Sequence, residues 1–178
     1  MKETVKYGFI LGLICFLASS VLAVVNGITE PKIKEQKAKE EGLALREALP
    51  QAQSFTPRYQ DDKITYYYSY DNNNKLNGFV ISSKAKGYSS DIETVAGLSL
   101  NLEIVGIKIL SQSETPGLGN RIIEPAFLGQ FQGKGLGTFN EVQAITGATI
   151  SSGAVINSIK SKISELREEL LQEEKNAR

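Results

Sequence analysis

Two short runs in this chain combine polar side chains with residues of little bulk. They are Glu114-Thr115-Pro116-Gly117-Leu118-Gly119 and Thr146-Gly147-Ala148-Thr149. In the first, Pro116-Gly117 favours a tight turn and Gly119 adds a second permissive backbone position, so a flat ligand could approach the main chain closely. On these residues alone, an ordinary turn after a strand is an equally good reading. The second run leads into Ile150-Ser151-Ser152-Gly153, where a final helix is expected to begin. Unpaired amides and the helix dipole at such a start favour an anion. A phosphate on Thr149 would sit at that positive end, with Gly147 and Ala148 leaving room for it. The plainer alternative makes Thr149 or Ser151 a helix N-cap, and composition by itself favours it.

The rest of the sequence narrows the chemistry by what it lacks. None of the 178 residues is histidine, and Cys15 is the one cysteine. Ser-His and Cys-His nucleophilic sites, His-ligated zinc, His-ligated haem and iron–sulfur clusters are excluded, and no metal site or general base is expected. A single thiol makes no internal disulfide, so cysteine usage is silent on compartment. Any redox chemistry must use an organic cofactor. Lys plus Arg number 20 and Asp plus Glu number 20, so no overall field draws the chain to nucleic acid.

The elements that must position the two runs follow from hydropathy and spacing. Tyr7 to Val25 carries no charge and is about long enough to cross a bilayer as a helix. The alternative is a secretory signal cleaved after Val21-Leu22-Ala23, although the apolar run is longer than a usual signal core. Lys2 and Lys6 precede the run and Lys32, Lys34, Lys37 and Lys39 follow it, so the positive-inside count leaves orientation open. Ile28 to Leu49 reads as a solvated helix, with Thr29 as cap, Pro31 in the first turn and Pro50 at its close. The expected segments are thus an anchor over 1–27, a membrane-proximal helix over 28–50 and one domain over 51–178.

Within that domain, Ile64–Tyr70 and Leu76–Ser82 flank the turn composition Asp71-Asn72-Asn73-Asn74-Lys75 and predict a hairpin. Its tyrosines read as sheet surface and core, since no basic stripe accompanies them. A second strand pair is expected at Ser89–Leu98 and Leu102–Leu110, the latter as a central strand because both its faces are apolar. A short helix is expected near Asn120 to Phe131, and the glycine-rich stretch Gly129 to Thr138 reads as a flexible connection. Ile156, Ile159, Ile163, Leu166 and Leu170 recur at helical spacing and predict an amphipathic helix from about Ile150 to Gln172.

The pairing of the Glu114–Gly119 run with Ile145-Thr146-Gly147-Ala148-Thr149-Ile150-Ser151-Ser152 resembles the FMN-binding domain of RnfG, the G subunit of Rnf-type electron transport complexes. The second motif is shared with the C subunit of the related sodium-translocating NADH:quinone reductase. Gly87-Tyr88, Gly129-Gln130-Phe131 and Gly133-Lys134 fall in the family's order, and the resemblance covers nearly the whole chain. It implies an α+β fold: a transmembrane helix, then a single FMN-binding domain with an antiparallel sheet packed by helices. It further implies that a flavin transferase joins FMN to Thr149 by a phosphoester bond. Thr146, Gly147 and Ala148 would form the phosphate end of the pocket, and Glu114, Thr115, Gly117, Leu118 and Gly119 would lie against the flavin.

The implied role is electron carriage within an ion-translocating ferredoxin:NAD⁺ oxidoreductase, not catalysis by this chain alone. The implied partners are the other membrane and peripheral subunits. The implied location is a bacterial or archaeal cell membrane, spanned once, with the amino terminus cytoplasmic and the flavin domain outside. Gln143 stands where the family's motif has aspartate, and Ser111 and Ser113 stand near where a histidine often precedes the first run. Remaining alternatives are a component of a related quinone reductase, a reductase acting on a small molecule, and an anchored binding module without covalent flavin.

Overall fold

A computed structural model describes residues 2–60 and 63–176, with side chains from Thr4 onward. Residues 1, 61–62 and 177–178, and the Lys2 and Glu3 side chains, lie outside the description. The chain divides into two compact units, Met1–Glu40 and Glu41–Arg178.

The first unit consists of most of helix α1, which runs unbroken over Lys2–Ala48. The expected restart at Thr29 does not occur. Pro31 lies inside the helix, where it lacks one backbone donor, and ion pairs Glu30–Lys34 and Glu35–Lys39 at helical spacing lie around it. The apolar side chains from Val5 to Val25 are exposed, and the helix is long and apolar enough to cross a membrane.

The second unit is built on a five-stranded antiparallel meander in the order β1-β2-β3-β4-β5. Its strands are β1 (Ser54–Gln60), β2 (Lys63–Tyr70), β3 (Leu76–Lys86), β4 (Asp91–Ser99) and β5 (Ile104–Ser111). The expected hairpin is β2–β3, closed where the Asp71 carboxylate accepts the Asn73 and Lys75 amides at 2.8 and 2.9 Å. Strand alternation sends neighbouring residues to opposite faces. Tyr66, Phe79, Ile81, Ala96 and Leu98 face one core, whereas Tyr67, Val80 and Val95 face another. Tyrosines 66 and 67 are therefore both core residues, in different layers. The Tyr66 hydroxyl donates to Glu169 and the Tyr67 hydroxyl to Glu41.

The first core is covered by the last helix, Thr149–Asn176, with Val155, Ile159, Ile163, Leu166 and Leu170 buried. The end of α1 covers the second through Ala44, Leu45, Ala48 and Leu49. Close approach there depends on glycine. A Cβ on Gly97 would lie 2.2 Å from the Ala48 carbonyl oxygen, and one on Gly106, its partner across β4 and β5, 2.8 Å from the same atom.

Three expectations change. β5 is an edge strand, not a central one. It is apolar on both faces because both sheet faces are covered, and its outer edge is partly closed by Gly133 and Lys134. The Gly133 amide donates to the Ile104 carbonyl at 2.8 Å, and the Ile104 amide to the Lys134 carbonyl at 2.9 Å. Gly129–Thr138 is thereby anchored, and Phe131 within it is fully buried against Phe127 and Phe139. The single helix expected near Asn120–Phe131 is three short pieces. These are a 3₁₀ turn at Gly119–Ile123, an α-helical turn α2 at Pro125–Leu128 and a 3₁₀ turn at Gly129–Phe131. Pro125 and Gly129 punctuate the run and prevent one continuous helix. The last helix is therefore α3. β1 was not expected, because Pro57 and its polar neighbours give little strand signal.

Gly97→Val should destabilise the domain by about 1–3 kcal/mol through overpacking. Gly153→Ala, in α3 with open space around its Cβ, should instead be neutral or stabilise by roughly 0.5–1 kcal/mol. Denaturant unfolding of the full chain in detergent measures both.

Candidate functional site

The site forms where β3 leaves the sheet, β5 ends and α3 begins. After β5 the chain makes a compact loop. The Thr115 carbonyl accepts the Leu118 amide at 3.2 Å, and the Asn120 side chain accepts the Gly117 amide at 2.7 Å. Gly117 has φ +75°, a left-handed conformation that favours glycine. Leu118 projects outward and is 53% exposed.

Before α3, Gly147 reverses the chain at φ +83°. The Ala148 carbonyl accepts both the Ser152 amide at 2.9 Å and the Ser152 hydroxyl at 2.8 Å. The same Ser152 oxygen accepts the Ile145 amide at 3.0 Å, closing the turn on itself. Ala148 is thus the half-in residue at the helix start, and Thr149 is the first helical residue. Neither Thr149 nor Ser151 acts as an N-cap. Thr149 is exposed, and among the described residues its hydroxyl has no hydrogen-bond partner. The amides of Thr149, Ile150 and Ser151 likewise meet no acceptor there.

Between these two loops lies Glu114, 4% exposed. Its carboxylate accepts the Ser151 hydroxyl at 2.6 Å, the amides of Tyr88, Ser89 and Ser90 at 3.1, 3.0 and 2.8 Å, and the Ser90 hydroxyl at 3.2 Å. Gly87 and Gly119 flank it so tightly that a Cβ on either would come 2.6 Å from a carboxylate oxygen. Burial on its own would raise the Glu114 pKa. The Ser151 hydroxyl, then the Ser90 and Ser89 amides and the Ser90 hydroxyl, pull it down and win, leaving it at about 2 against an ordinary 4.5.

A cavity of about 350 Å³ opens beside this carboxylate, of the size that holds small molecules. Of the residues expected from sequence, Glu114, Thr115, Leu118, Gly119, Gly147, Ala148 and Thr149 line it, and Thr146 and Gly117 do not. Thr146 is exposed, and the part of Gly117 is to shape the loop. Tyr88, Ile150 and Ser151 complete the wall and were not singled out as site residues. Tyr88 and Ile150 are 70% and 59% exposed, an unusual state for large apolar side chains that meet at one cavity. Gln143 is exposed, and its backbone is gripped by the Gln130 side-chain amide, which accepts the Gln143 N–H at 2.8 Å.

The cavity and its walls fall within residues 87–164, which match the model of the FMN-binding domain family. Residues 1–47 match the RnfG N-terminal region. The chain belongs to the RnfG family, the G subunits of ion-translocating oxidoreductase complexes. It is 32% identical over 176 residues to the G subunit of the ion-translocating oxidoreductase complex of Methanosarcina acetivorans, spanning 91% of this chain and 94% of that one. It is also 32% identical over 189 residues to the G subunit of the Na(+)-translocating ferredoxin:NAD(+) oxidoreductase complex of Acetobacterium woodii, with 91% of each chain covered. In fold it is similar to the crystal structure of Shewanella oneidensis NqrC, with a TM-score of 0.53, 20% identity, and coverage of 72% of this chain and 74% of that one.

Because the Glu114 pKa is depressed on folding, its hydrogen-bonded carboxylate stabilises the domain above pH 4.5, and that contribution is lost as pH falls toward about 2. The stability difference between wild type and Glu114→Gln should therefore be constant above pH 4.5 and shrink below it. Urea unfolding across an acid series measures the difference.

Proposed function

We propose that this chain is a membrane-anchored electron carrier whose FMN is joined through its phosphate to the Thr149 hydroxyl. The observation that carries this reading is the unpartnered, exposed Thr149 hydroxyl on the cavity wall at the first residue of α3. An ordinary N-cap threonine spends its hydroxyl on the helix. Here Ala148 and Ser152 already close the helix start, so Thr149 is left free.

The residues present suit a phosphorylated, flat ligand. Free amides at Thr149, Ile150 and Ser151, with the positive end of α3, favour a phosphate. The absence of a side chain at Gly147 leaves the approach open, with nothing within 4 Å of where a Cβ would stand. Leu118, Ile150 and Tyr88 offer apolar surface to a ring system. Glu114 does not reach for the ligand with a free oxygen, since both its oxygens are engaged by protein donors. It fixes the loop over Tyr88–Ser90 to the start of α3 and so holds two walls of the cavity in register. Bound FMN supplies reversible uptake and release of electrons, and the protein supplies its position.

The relatives' names support an assignment to an ion-translocating ferredoxin:NAD⁺ oxidoreductase, with its other subunits as partners; a flavin transferase would act during maturation. The apolar exposed part of α1 supports a single membrane anchor. In this reading its amino terminus is cytoplasmic and the flavin domain lies on the far side.

Coexpression with a flavin transferase should give a band that fluoresces after denaturing electrophoresis. Thr149→Val should lose that fluorescence, while Thr146→Val should keep it. A fluorescent Thr149→Val band would place the attachment elsewhere. A dark wild-type band, with a known flavinylated protein labelled in the same cells, would remove the covalent link.

A further inference from the structure

The cavity wall contains one formal charge, and no charged side chain on the wall cancels it. No Lys or Arg lines it, and the chain has no histidine. Glu114 belongs to none of the ion pairs among the described residues. Its five contacts come from three backbone amides and two serine hydroxyls, all neutral. Neutral donors make an anion tolerable in a buried place, but they leave its net charge in position.

We propose that Glu114 sets the reduction potential of the flavin held in this cavity, its uncancelled negative charge disfavouring the electron-rich ring and making the carrier a stronger donor. The assignment rests on the tether at Thr149. The geometry brings the two close. Ser151, which donates to Glu114, lies in the same first turn of α3 as Thr149. Leu118 and Ile150 present apolar side chains on the wall, and a ring seated on them would exclude water from the space beside the charge. An electron added to a ring beside a fixed anion meets Coulomb repulsion that the oxidised ring does not. The equilibrium therefore moves toward the oxidised form.

The charge is also constant. With its pKa at about 2, Glu114 stays ionised at any pH at which the complex works. Its effect on the potential is then a fixed offset and not a pH-gated one. Glu114 acts in this way as a positioning and electrostatic residue, without contacting the reacting atoms.

The test is a spectroelectrochemical titration of the full-length, flavin-bearing chain at fixed neutral pH. Glu114→Gln keeps the side-chain shape and removes the charge, and its midpoint potential should shift to more positive values. Ser151→Ala removes one neutral donor from the carboxylate and leaves its charge less offset, so its potential should shift to more negative values. Should Glu114→Gln not fold, Ser151→Ala decides the matter. A merely structural role for Glu114 would leave the Ser151→Ala potential unmoved, and that result overturns the proposal. Flavin-bearing variants with wild-type potentials overturn this assignment alone, whereas a wild-type chain without flavin overturns the tether and this assignment with it.

Discussion

The buried carboxylate of Glu114 is the interaction on which the site depends. Removing a carboxylate from water without a cation is costly, and it persists only when its oxygens are nearly saturated with donors. Here those donors come from two places distant in sequence, the loop after β3 and the first turn of α3. Hydrogen bonds to a charged acceptor contribute about 1.5–3 kcal/mol each. One side chain therefore closes a ring of contacts among three segments that otherwise share little packing. Gly87 and Gly119 are part of the same device, since any side chain at either position would expel the carboxylate.

That ring is mounted on a sheet covered on both faces. The α3 face carries the large core, in which Phe79, Phe131 and Phe139 are fully buried with Ile159 and Ile163. The opposite face is thinner and works by close approach, with small residues meeting where helix and sheet touch, Ala48 against Gly97 and Gly106. Packing at that density resists small displacements. The ends of β3, β5 and α3 are accordingly held by layers that extend well beyond the cavity.

Much of this was legible in the sequence because it is periodic. The apolar spacing of α3 and the alternation in β2, β3 and β4 each follow from one-dimensional patterns. β5 was legible as a strand but misplaced, because apolar residues on both faces report two-sided burial and say nothing of neighbours in the sheet. The short helical pieces between Gly119 and Phe131 were blurred into one, since tertiary contacts of Phe127 and Phe131 set their geometry. At the site, the sequence singled out Thr149, Gly119 and Gly147, which line the cavity, and Gly117, which does not. It did not reveal Ser151 as the partner of Glu114, because a serine in the first turn looks like a capping residue whatever it binds. The amides of Tyr88 to Ser90 carry no side-chain signal at all. The one hint available was Gly87-Tyr88, where a glycine before a strand marks a close approach.

The carboxyl-terminal turns of α1 have a consequence for where this domain begins. Ala44, Leu45, Ala48 and Leu49 are buried against Tyr67, Val80 and Val95, and Glu41 accepts the Tyr67 hydroxyl. A shortened chain starting at Gln51 would expose that entire face of the sheet to water and leave the Tyr67 hydroxyl without its acceptor. It would be prone to associate through the uncovered strands. The packed unit starts at Glu41, inside what the charge pattern presents as a linker. Proteolysis between Glu41 and Pro50 would accordingly release a fragment that has lost a layer, not a free-standing flavin domain.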